Sequence, residues 1–270
     1  MDLCEGGYCM EYDVKIDITK QRSYQVVKAN EIIQKARYDL NIQELKTLAY
    51  IFSKIKPNDS QLQEYSFSIK EYCQVCGIDY KNGGNYQYIK GTIKSLRDKS
   101  FWILDDKGNE EVLIGWLQKV RISKGSGKIT IKLDDDLQKY VLGLFENYTQ
   151  YELLSTLPMK SNYSFRIYEL LKSYAFTKKH TFDVEELKKI LTAETYVNFK
   201  DFRKKVIEIA IKEINLYTDL EVSWEPIMKG RKVIQITFFI KQHDTWGRYL
   251  AGRRAQDQIE GQLNFDDYYK

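Results

Sequence analysis

Residues 180–191 read HTFDVEELKKIL, and residues 65–76 read YSFSIKEYCQVC. Each stretch first alternates polar and apolar side chains, as a β-strand does, and then spaces its apolar side chains by three or four positions, as an α-helix does. Ser68 and Asp183 lie at the change of pattern, and both residue types are good helix N-caps. When the two stretches are aligned, the apolar positions that correspond are Phe67 with Phe182, Ile69 with Val184, Tyr72 with Leu187, Val75 with Ile190, and Cys76 with Leu191.

The helices that follow these two stretches also correspond, with a nearly constant offset along the chain. Their apolar residues recur at i, i+4 and i+7, which is one stripe of an α-helix. The corresponding residues are Ile89, Ile93 and Leu96 in the first repeat and Phe202, Val206 and Ile209 in the second. A loop precedes each of these helices, and a longer helix precedes each repeat, at residues 43–55 and 163–176.

A β-hairpin follows the second helix of each repeat. Its strands lie at residues 101–104 and 112–116 in the first repeat and at residues 220–224 and 233–238 in the second. Helix, strand, helix, turn, helix and two-stranded wing is the order of a winged helix-turn-helix domain. The sequence therefore predicts an α+β protein with two tandem winged helix-turn-helix domains related by internal duplication.

The remaining segments suggest the domain boundaries. A further hairpin at residues 120–123 and 128–131 and a connecting helix from about residue 134 to 145 lie between the repeats. We expect a flexible leader at 1–23, a first winged-helix domain at 24–148, a second at 149–243 and a C-terminal tail at 244–270. The first domain is expected to bind DNA and to dimerise, and the second to be the main reader of DNA sequence.

Composition excludes several classes of protein. The chain has 270 residues, of which 43% are hydrophobic and 30% charged, as in a globular protein. No apolar run approaches the roughly 18 residues of a membrane span, and the first residues do not resemble a signal peptide, so we expect a cytoplasmic protein. The four cysteines are too few for a disulfide framework. The net charge of +4 is a weak indication of a polyanionic partner.

The spacing of Cys73 and Cys76 allows a redox pair or half of a zinc site. In the alignment of the repeats, however, Cys76 corresponds to the apolar Leu191 and Cys73 to the polar Lys188. We therefore expect Cys76 in the core, Cys73 at the surface, and neither metal nor redox chemistry.

Catalytic patterns are not found. His180 and His243 are too far apart in sequence for a histidine-x-histidine metal pair, and the sequence contains neither a P-loop nor a G-x-S-x-G motif. The acidic triplet at 134–136 suggests a divalent cation, but its position at a helix start favours an N-cap. We expect no catalytic residue, no metal, no cofactor and no enzymatic activity.

The second helix of a helix-turn-helix enters the major groove with its N-terminal residues towards the base edges. In the second repeat this helix begins near Asn198. With Phe202 at the centre of the buried stripe, Arg203 and Lys204 point about 100° and 200° away from it. The DNA-binding residues predicted for this domain are Lys200, Arg203, Lys204 and Lys205 on the helix, and Lys229, Arg231 and Lys232 on the wing.

The first domain has a different charge pattern. Its predicted wing carries Asp105, Asp106, Glu110 and Glu111, which repel phosphate. We therefore expect weaker DNA contacts from this domain, or part of its surface to bind another chain. Its predicted DNA-binding residues are Lys90, Lys94 and Arg97 on the helix, and Arg121, Lys124 and Lys128 on the additional hairpin.

Two segments resemble a known family. Residues 26–31, VVKANE, with the helix around residues 45–52, and residues 161–172, SNYSFRIYELLK, are similar to the RepB-type initiator replication proteins of theta-replicating plasmids. The resemblance covers about residues 24–242, and neither segment is catalytic. It implies tandem winged-helix domains that bind directly repeated origin sequences, called iterons, in double-stranded DNA.

The resemblance also implies partners and residue roles. Such initiators open the adjacent DNA, recruit host helicase or clamp components, and interconvert between monomer and dimer in plasmid copy control. By position, Lys200, Arg203 and Lys204 would read bases, and Arg166 would contact the DNA backbone.

Two alternatives and one accessory motif remain. A double winged-helix repressor would bind a single palindromic operator, whereas an initiator would bind tandem repeats. A DNA-nicking enzyme would need a metal site for which the histidines give little support.

Residues 261–265, GQLNF, faintly resemble peptides that bind sliding clamps. The segment after His243 is therefore expected to be dispensable for DNA binding and needed for replication.

Overall fold

The computed structural model describes residues 17–56, 59–78, 83–104 and 109–261. The first half contains, in order, α1 (Ile18–Arg22), β1 (Gln25–Ala29), α2 (Asn30–Gln34), α3 (Ile42–Phe52), β2 (Glu64–Ser68), α4 (Ile69–Cys76), α5 (Gly83–Asp98), β3 (Ser100–Leu104), β4 (Glu111–Gly115), β5 (Leu117–Ile122), β6 (Lys128–Leu133) and α6 (Gln138–Val141). No helix within these described ranges is long and apolar enough to cross a membrane.

The second half contains β7 (Tyr148–Glu152), α7 (Asn162–Ser173), β8 (Lys179–Asp183), α8 (Val184–Ile190), α9 (Phe199–Phe202), α10 (Glu208–Tyr217), β9 (Leu220–Lys229), β10 (Lys232–Gln242) and α11 (Thr245–Ile259). A π-helical turn, Arg203–Ile207, joins α9 to α10. The resulting continuous helix, residues 199–217, is called the second recognition helix, and α5 is the first.

Side chains at the helix starts act as the sequence predicts. The Ser68 hydroxyl accepts a hydrogen bond from the Glu71 amide at 3.0 Å, and the Asp183 carboxylate accepts one from the Glu185 amide at 2.9 Å. The Asp134 carboxylate accepts from the Asp136 amide at 3.1 Å and caps a short 3-10 helix, which confirms the interpretation of the acidic triplet as a cap. These bonds satisfy backbone donors that a helix leaves without partners.

The two repeats build equivalent three-stranded antiparallel sheets, in the orders β2-β6-β5 and β8-β10-β9. An equivalent pair of hydroxyl side chains joins the first two strands of each sheet. The Ser66 and Thr130 hydroxyl oxygens lie 2.9 Å apart, and those of Thr181 and Thr237 lie 2.8 Å apart. The internal duplication and the two winged helices are therefore present in the structure.

The wing of the first domain is not the hairpin that the sequence predicted. β2 pairs with β6 and β6 with β5, so the β5–β6 hairpin corresponds to the β9–β10 wing of the second domain. β3 and β4 form a separate two-stranded sheet inserted before this wing. Chain order suggested the first hairpin after α5, but hydrogen bonding to β2 selects the second.

The π-helical turn also changes the predicted apolar stripe. Phe202 and Val206 are buried as expected, but Ile209 is 42% exposed and Ala210 is fully buried. A π turn adds one residue to a helical turn, so every later position rotates relative to a regular α-helix. Leu96 of the first recognition helix therefore corresponds to Ala210, not to Ile209.

The burial of the cysteines is the reverse of the prediction. Cys73 is buried, and the corresponding Lys188 is also buried, with its ammonium 5.6 Å from the centre of the Phe202 ring and 3.1 Å from Glu185. Cys76 is half-buried, and desolvation by burial raises the pKa of its thiol to about 12. The long lysine stem packs in the core while its charge is paired, which a polar–apolar alignment does not show.

The predicted leader, connecting helix and tail differ from the structure in part. The leader contains α1, whose Arg22 is buried, and the connecting segment has only a 3-10 turn followed by the four-residue α6. The predicted mobile tail contains the 15-residue α11, with Ala251 and Ala255 buried. Cys4, Cys9 and residues 262–265 of the clamp-like motif lie outside the described residues.

A strand pairing and a buried ionic cluster join β1 to β7 and α7. β1 pairs antiparallel with β7, and the Lys28 ammonium on β1 lies 2.5 Å from the Glu169 carboxylate on α7. Glu169 also accepts a hydrogen bond from the Tyr151 hydroxyl at 2.6 Å. Both Lys28 and Glu169 are buried, and desolvation lowers the pKa of Lys28 although Glu169 opposes the shift. This interface fixes the position of β1 relative to α7.

Candidate nucleic-acid interface

The second recognition helix presents most of its predicted cations to solvent. Asn198 caps its start by accepting a hydrogen bond from the Asp201 amide at 2.8 Å. Lys200, Lys204 and Lys205 are exposed. Arg203 is half-buried, and its Nε lies 3.2 Å from the Glu208 carboxylate. Lys204 and Lys205 can therefore reach a ligand directly, whereas Arg203 must first exchange its partner.

The wing of the second domain has a basic tip. Lys229, Arg231 and Lys232 are exposed around Gly230, whose φ of 63° allows the tight turn between β9 and β10. Among the described residues, none of these three cations forms an ion pair. A helix and a hairpin tip with unpaired cations match the two parts of a winged helix that contact bases and backbone.

The first recognition helix offers fewer available cations. Lys90 is exposed, with its ammonium 5.5 Å from the centre of the Tyr86 ring. Lys94 is paired with Asp98 at 2.5 Å, and Arg97 donates to the Gln118 carbonyl at 3.1 Å. Lys90 is thus the predicted residue on this helix that is not already engaged in an ion pair or hydrogen bond.

The wing of the first domain is basic, contrary to the acidic wing that the sequence predicted. Lys124 and Lys128 are exposed beside the glycine turn of β5–β6, and Arg121 on β5 forms an ion pair with Glu64. Glu111 belongs to the separate β3–β4 sheet. The expected Asp105 and Asp106 lie outside the described residues. The assignment of the acidic hairpin as the wing of this domain is therefore wrong.

Arg166 lies in the interior and not on a DNA-binding surface. Its guanidinium donates to the Tyr38 hydroxyl and to the carbonyls of Ile33 at 3.4 Å and Ala36 at 3.3 Å, and it lies 3.7 Å from Glu169. With 5% of its surface exposed, Arg166 cannot contact a DNA backbone in this arrangement. It joins α7 to the end of α2 and the segment that follows it instead.

The sequence patterns did not reveal the buried ion pair of Lys28 and Glu169. A signal existed in part, because Arg166 and Glu169 are spaced i, i+3 on α7 and can pair along one face of that helix. Nothing local to β1 indicated that Lys28 points inwards. His180 stacks on Tyr174 with ring centres 3.7 Å apart, and burial lowers its pKa.

Comparison with known families assigns both halves of the chain. Residues 25–172 match the family described as Initiator Replication protein, WH1, and residues 183–240 match Initiator Rep protein, WH2. The two matched segments contain both recognition helices and both wings.

Curated relatives agree with this assignment. A "Replication initiation protein" of Escherichia coli is 26% identical over 207 residues, which are 73% of this chain and 64% of that protein. The "PI protein" of Escherichia coli is 26% identical over 155 residues, half of this chain and 51% of the relative. The chain thus spans less than two thirds of the length of these relatives.

A solved structure has the same fold. The structure described as Pi initiator protein in complex with iteron DNA matches 83% of this chain and 99% of its own chain, with a TM-score of 0.66 and 20% sequence identity.

Proposed function

The chain belongs to the family of initiator replication proteins, and on this premise we propose that it initiates plasmid DNA replication by binding iterons in double-stranded DNA. Binding would promote opening of the origin and recruit host replication proteins. The proposed first domain, residues 24–148, and second domain, residues 149–243, each supply one reading surface.

One observation carries the proposal. Two winged helices, each with an exposed cation on its recognition helix and a basic wing tip, are bridged by α11, which packs on α10 and forms an ion pair with Arg22. Exposed lysines supply phosphate contacts, and the helices supply side chains for base edges. A fixed pair of such surfaces suits a long asymmetric site better than one short palindrome. The related structure was solved with iteron DNA, which supports the same ligand class here.

Footprinting with the intact protein on the DNA around its own gene tests this function. We expect protection of tandem direct repeats beside an AT-rich tract. Protection confined to a single palindromic operator would instead support the repressor alternative. The action is proposed to be purely one of binding, without an enzymatic step or a cofactor, and to take place in the cytoplasm where plasmid DNA lies.

The wing lysines of the first domain provide a quantitative test. Lys124→Ala and Lys128→Ala should each weaken binding to cognate and scrambled duplexes equally, because a wing contact with phosphate carries no sequence information. Each should reduce the slope of log affinity against log salt by about one. The matched control is Lys35→Ala, which removes an exposed lysine at the C-cap of α2 that is paired with Glu31. A salt titration that shows unchanged slopes for both wing variants would contradict the assignment of β5–β6 as a DNA-binding wing.

We also propose that the first domain forms a dimer interface through the β3–β4 sheet. On its outer face Trp102 and Leu113 are opposite each other and are 55% and 51% exposed, and Leu104 beside them is 48% exposed. Exposed apolar side chains on an edge hairpin favour pairing with the same surface of a second copy. This face belongs to a different sheet from the β5–β6 wing, so dimerisation and DNA binding would use different strands of the domain.

Dimerisation predicts a specific response to charge. Trp102→Lys and Leu113→Lys should shift the intact protein towards monomer by at least tenfold in dissociation constant, since a buried lysine without a partner costs more than about 1.4 kcal/mol. Trp246→Lys, which changes an exposed tryptophan on α11, is the control. Sedimentation equilibrium measures the dissociation constants. If all three variants associate like the unaltered protein, the interface is elsewhere.

We propose that the segment after Gly261 recruits helicase or clamp components. Truncation after Gln242, as the sequence suggested, removes the packed helix α11 and cannot isolate this segment. Truncation after Gly261 leaves α11 intact and is the appropriate change. It should preserve iteron binding and reduce plasmid copy number.

A further inference from the structure

The C-terminal helix α11 spans both domains. Near its middle, the buried Ala255 packs against Leu216 and Tyr217 of α10 in the second domain. At its end, Ile259 and Glu260 contact the first domain. A 15-residue helix is about 22 Å long, which is enough to reach from one domain to the other.

The end of α11 lies on the helix-turn-helix of the first domain. Gly77 ends α4 with a φ of 70°, and the turn that it makes leads towards the first recognition helix. A Cβ atom built on Gly77 would lie 2.6 Å from the Ile259 carbonyl oxygen and 2.5 Å from its Cγ2 atom. Only glycine therefore satisfies both the left-handed conformation and the close approach of Ile259.

Arg22 completes this contact. Its guanidinium donates to the carbonyls of Gln74 and Val75, both at 2.9 Å, and forms an ion pair with Glu260 at 3.1 Å. The two carbonyls belong to the last turn of α4, where helical carbonyls lack partners within the helix. Desolvation lowers the pKa of Arg22, and the hydrogen bond to Glu260 opposes the shift. The carboxylate of α11 thus compensates a buried charge that holds the end of α4.

We propose that Ile259 and Glu260 are positioning residues for DNA recognition by the first domain. They connect the second domain to the turn before the first recognition helix and set the angle at which that helix meets the DNA. Neither residue needs to touch DNA. The consequence for binding rests on the proposed function, whereas the mechanical connection does not.

The connection predicts a loss confined to one reading surface. Truncation after Gln258 removes Ile259 and Glu260, and truncation after Gly261 retains both as the matched control. In the first variant we expect faster hydrogen exchange at the Ile78 amide, which donates to the Cys73 carbonyl at 2.8 Å in the turn. Affinity for iteron DNA should fall on the order of tenfold, because the variant loses part of the gain in affinity that comes from linking two binding modules.

Hydroxyl-radical footprinting then separates the two reading surfaces. Protection should weaken over the half of the site bound by the first domain and persist over the other half. Ile259→Asp should reproduce this result in the full chain, and the conservative Ile259→Val should restore normal protection. These point variants keep the test decisive if the truncated chain folds poorly.

The outcomes distinguish this inference from the proposed function. Unchanged exchange at Ile78 with both halves protected would overturn the inference. So would an equal loss in both halves with a lower melting temperature, because it indicates general stability. If the unaltered protein binds no repeated DNA, the proposed function fails, but the exchange measurement still decides whether α11 holds the turn.

Discussion

Replacement of Glu169 by glutamine is expected to lower the free energy of unfolding by about 3–5 kcal/mol, the range for removing one partner of a buried ion pair. The loss is expected because buried positive charge remains after the carboxylate is removed. Lys28 and Arg166 both face this carboxylate and are buried, so the neutral amide leaves two cations without an anion. Urea unfolding followed by circular dichroism measures the effect.

The matched control is an ion pair of the same length at the surface. Lys94 and Asp98 also lie 2.5 Å apart, but their side chains are 79% and 54% exposed. Asp98→Asn should change the free energy of unfolding by less than about 0.5 kcal/mol. Adding Lys28→Met to Glu169→Gln should restore part of the loss, because one unpaired cation is removed. If Glu169→Gln lowers the free energy of unfolding by less than about 1 kcal/mol, water reaches the buried cluster and screens its charges, as at a surface ion pair.

The sequence was sufficient to predict the duplication, because the repeated apolar patterns are local. It was insufficient to choose the wing of the first domain, because strand pairing joins residues far apart in sequence. A signal was nevertheless present. Ile129-Thr130-Ile131 on β6 matches Ile236-Thr237-Phe238 on β10, and this match identifies β6 as the strand that pairs with β2.

Other parts of the site depend on structural features that the spacing of residues in the sequence does not show. The π turn in the second recognition helix rotates Ile209 out of the core, although its spacing from Phe202 fits a regular helix. Arginine is a residue type typical of DNA contacts, but the tertiary fold places Arg166 in the interior against Tyr38. Charged side chains with long apolar stems can be buried when partners exist, and partners distant in sequence are not visible in it.

Lys204 is expected to be the most sensitive position for specific DNA binding. It is exposed on the second recognition helix, without an ion pair among the described residues. If it reads a base edge, Lys204→Ala should cost about 1–3 kcal/mol for the cognate repeat and relax the preference at one base pair. Arg203→Ala should cost less, because Arg203 gives up its contact with Glu208 on binding. Salt titrations with cognate and scrambled duplexes separate base reading from phosphate contact.

The first recognition helix supplies the matched comparison. Gly91 corresponds to Lys204 when the two recognition helices are aligned, and a Cβ built on it meets no atom within 4 Å. Lys90→Ala and Lys94→Ala should therefore cost less specific affinity than Lys204→Ala, since this helix has no side chain where Lys204 lies. Gly91→Lys should fold normally and raise the salt slope by about one, because it adds a cation that can contact phosphate. If Lys90→Ala instead costs more specific affinity than Lys204→Ala, with circular dichroism showing both variants folded, the first domain is the principal reader of sequence.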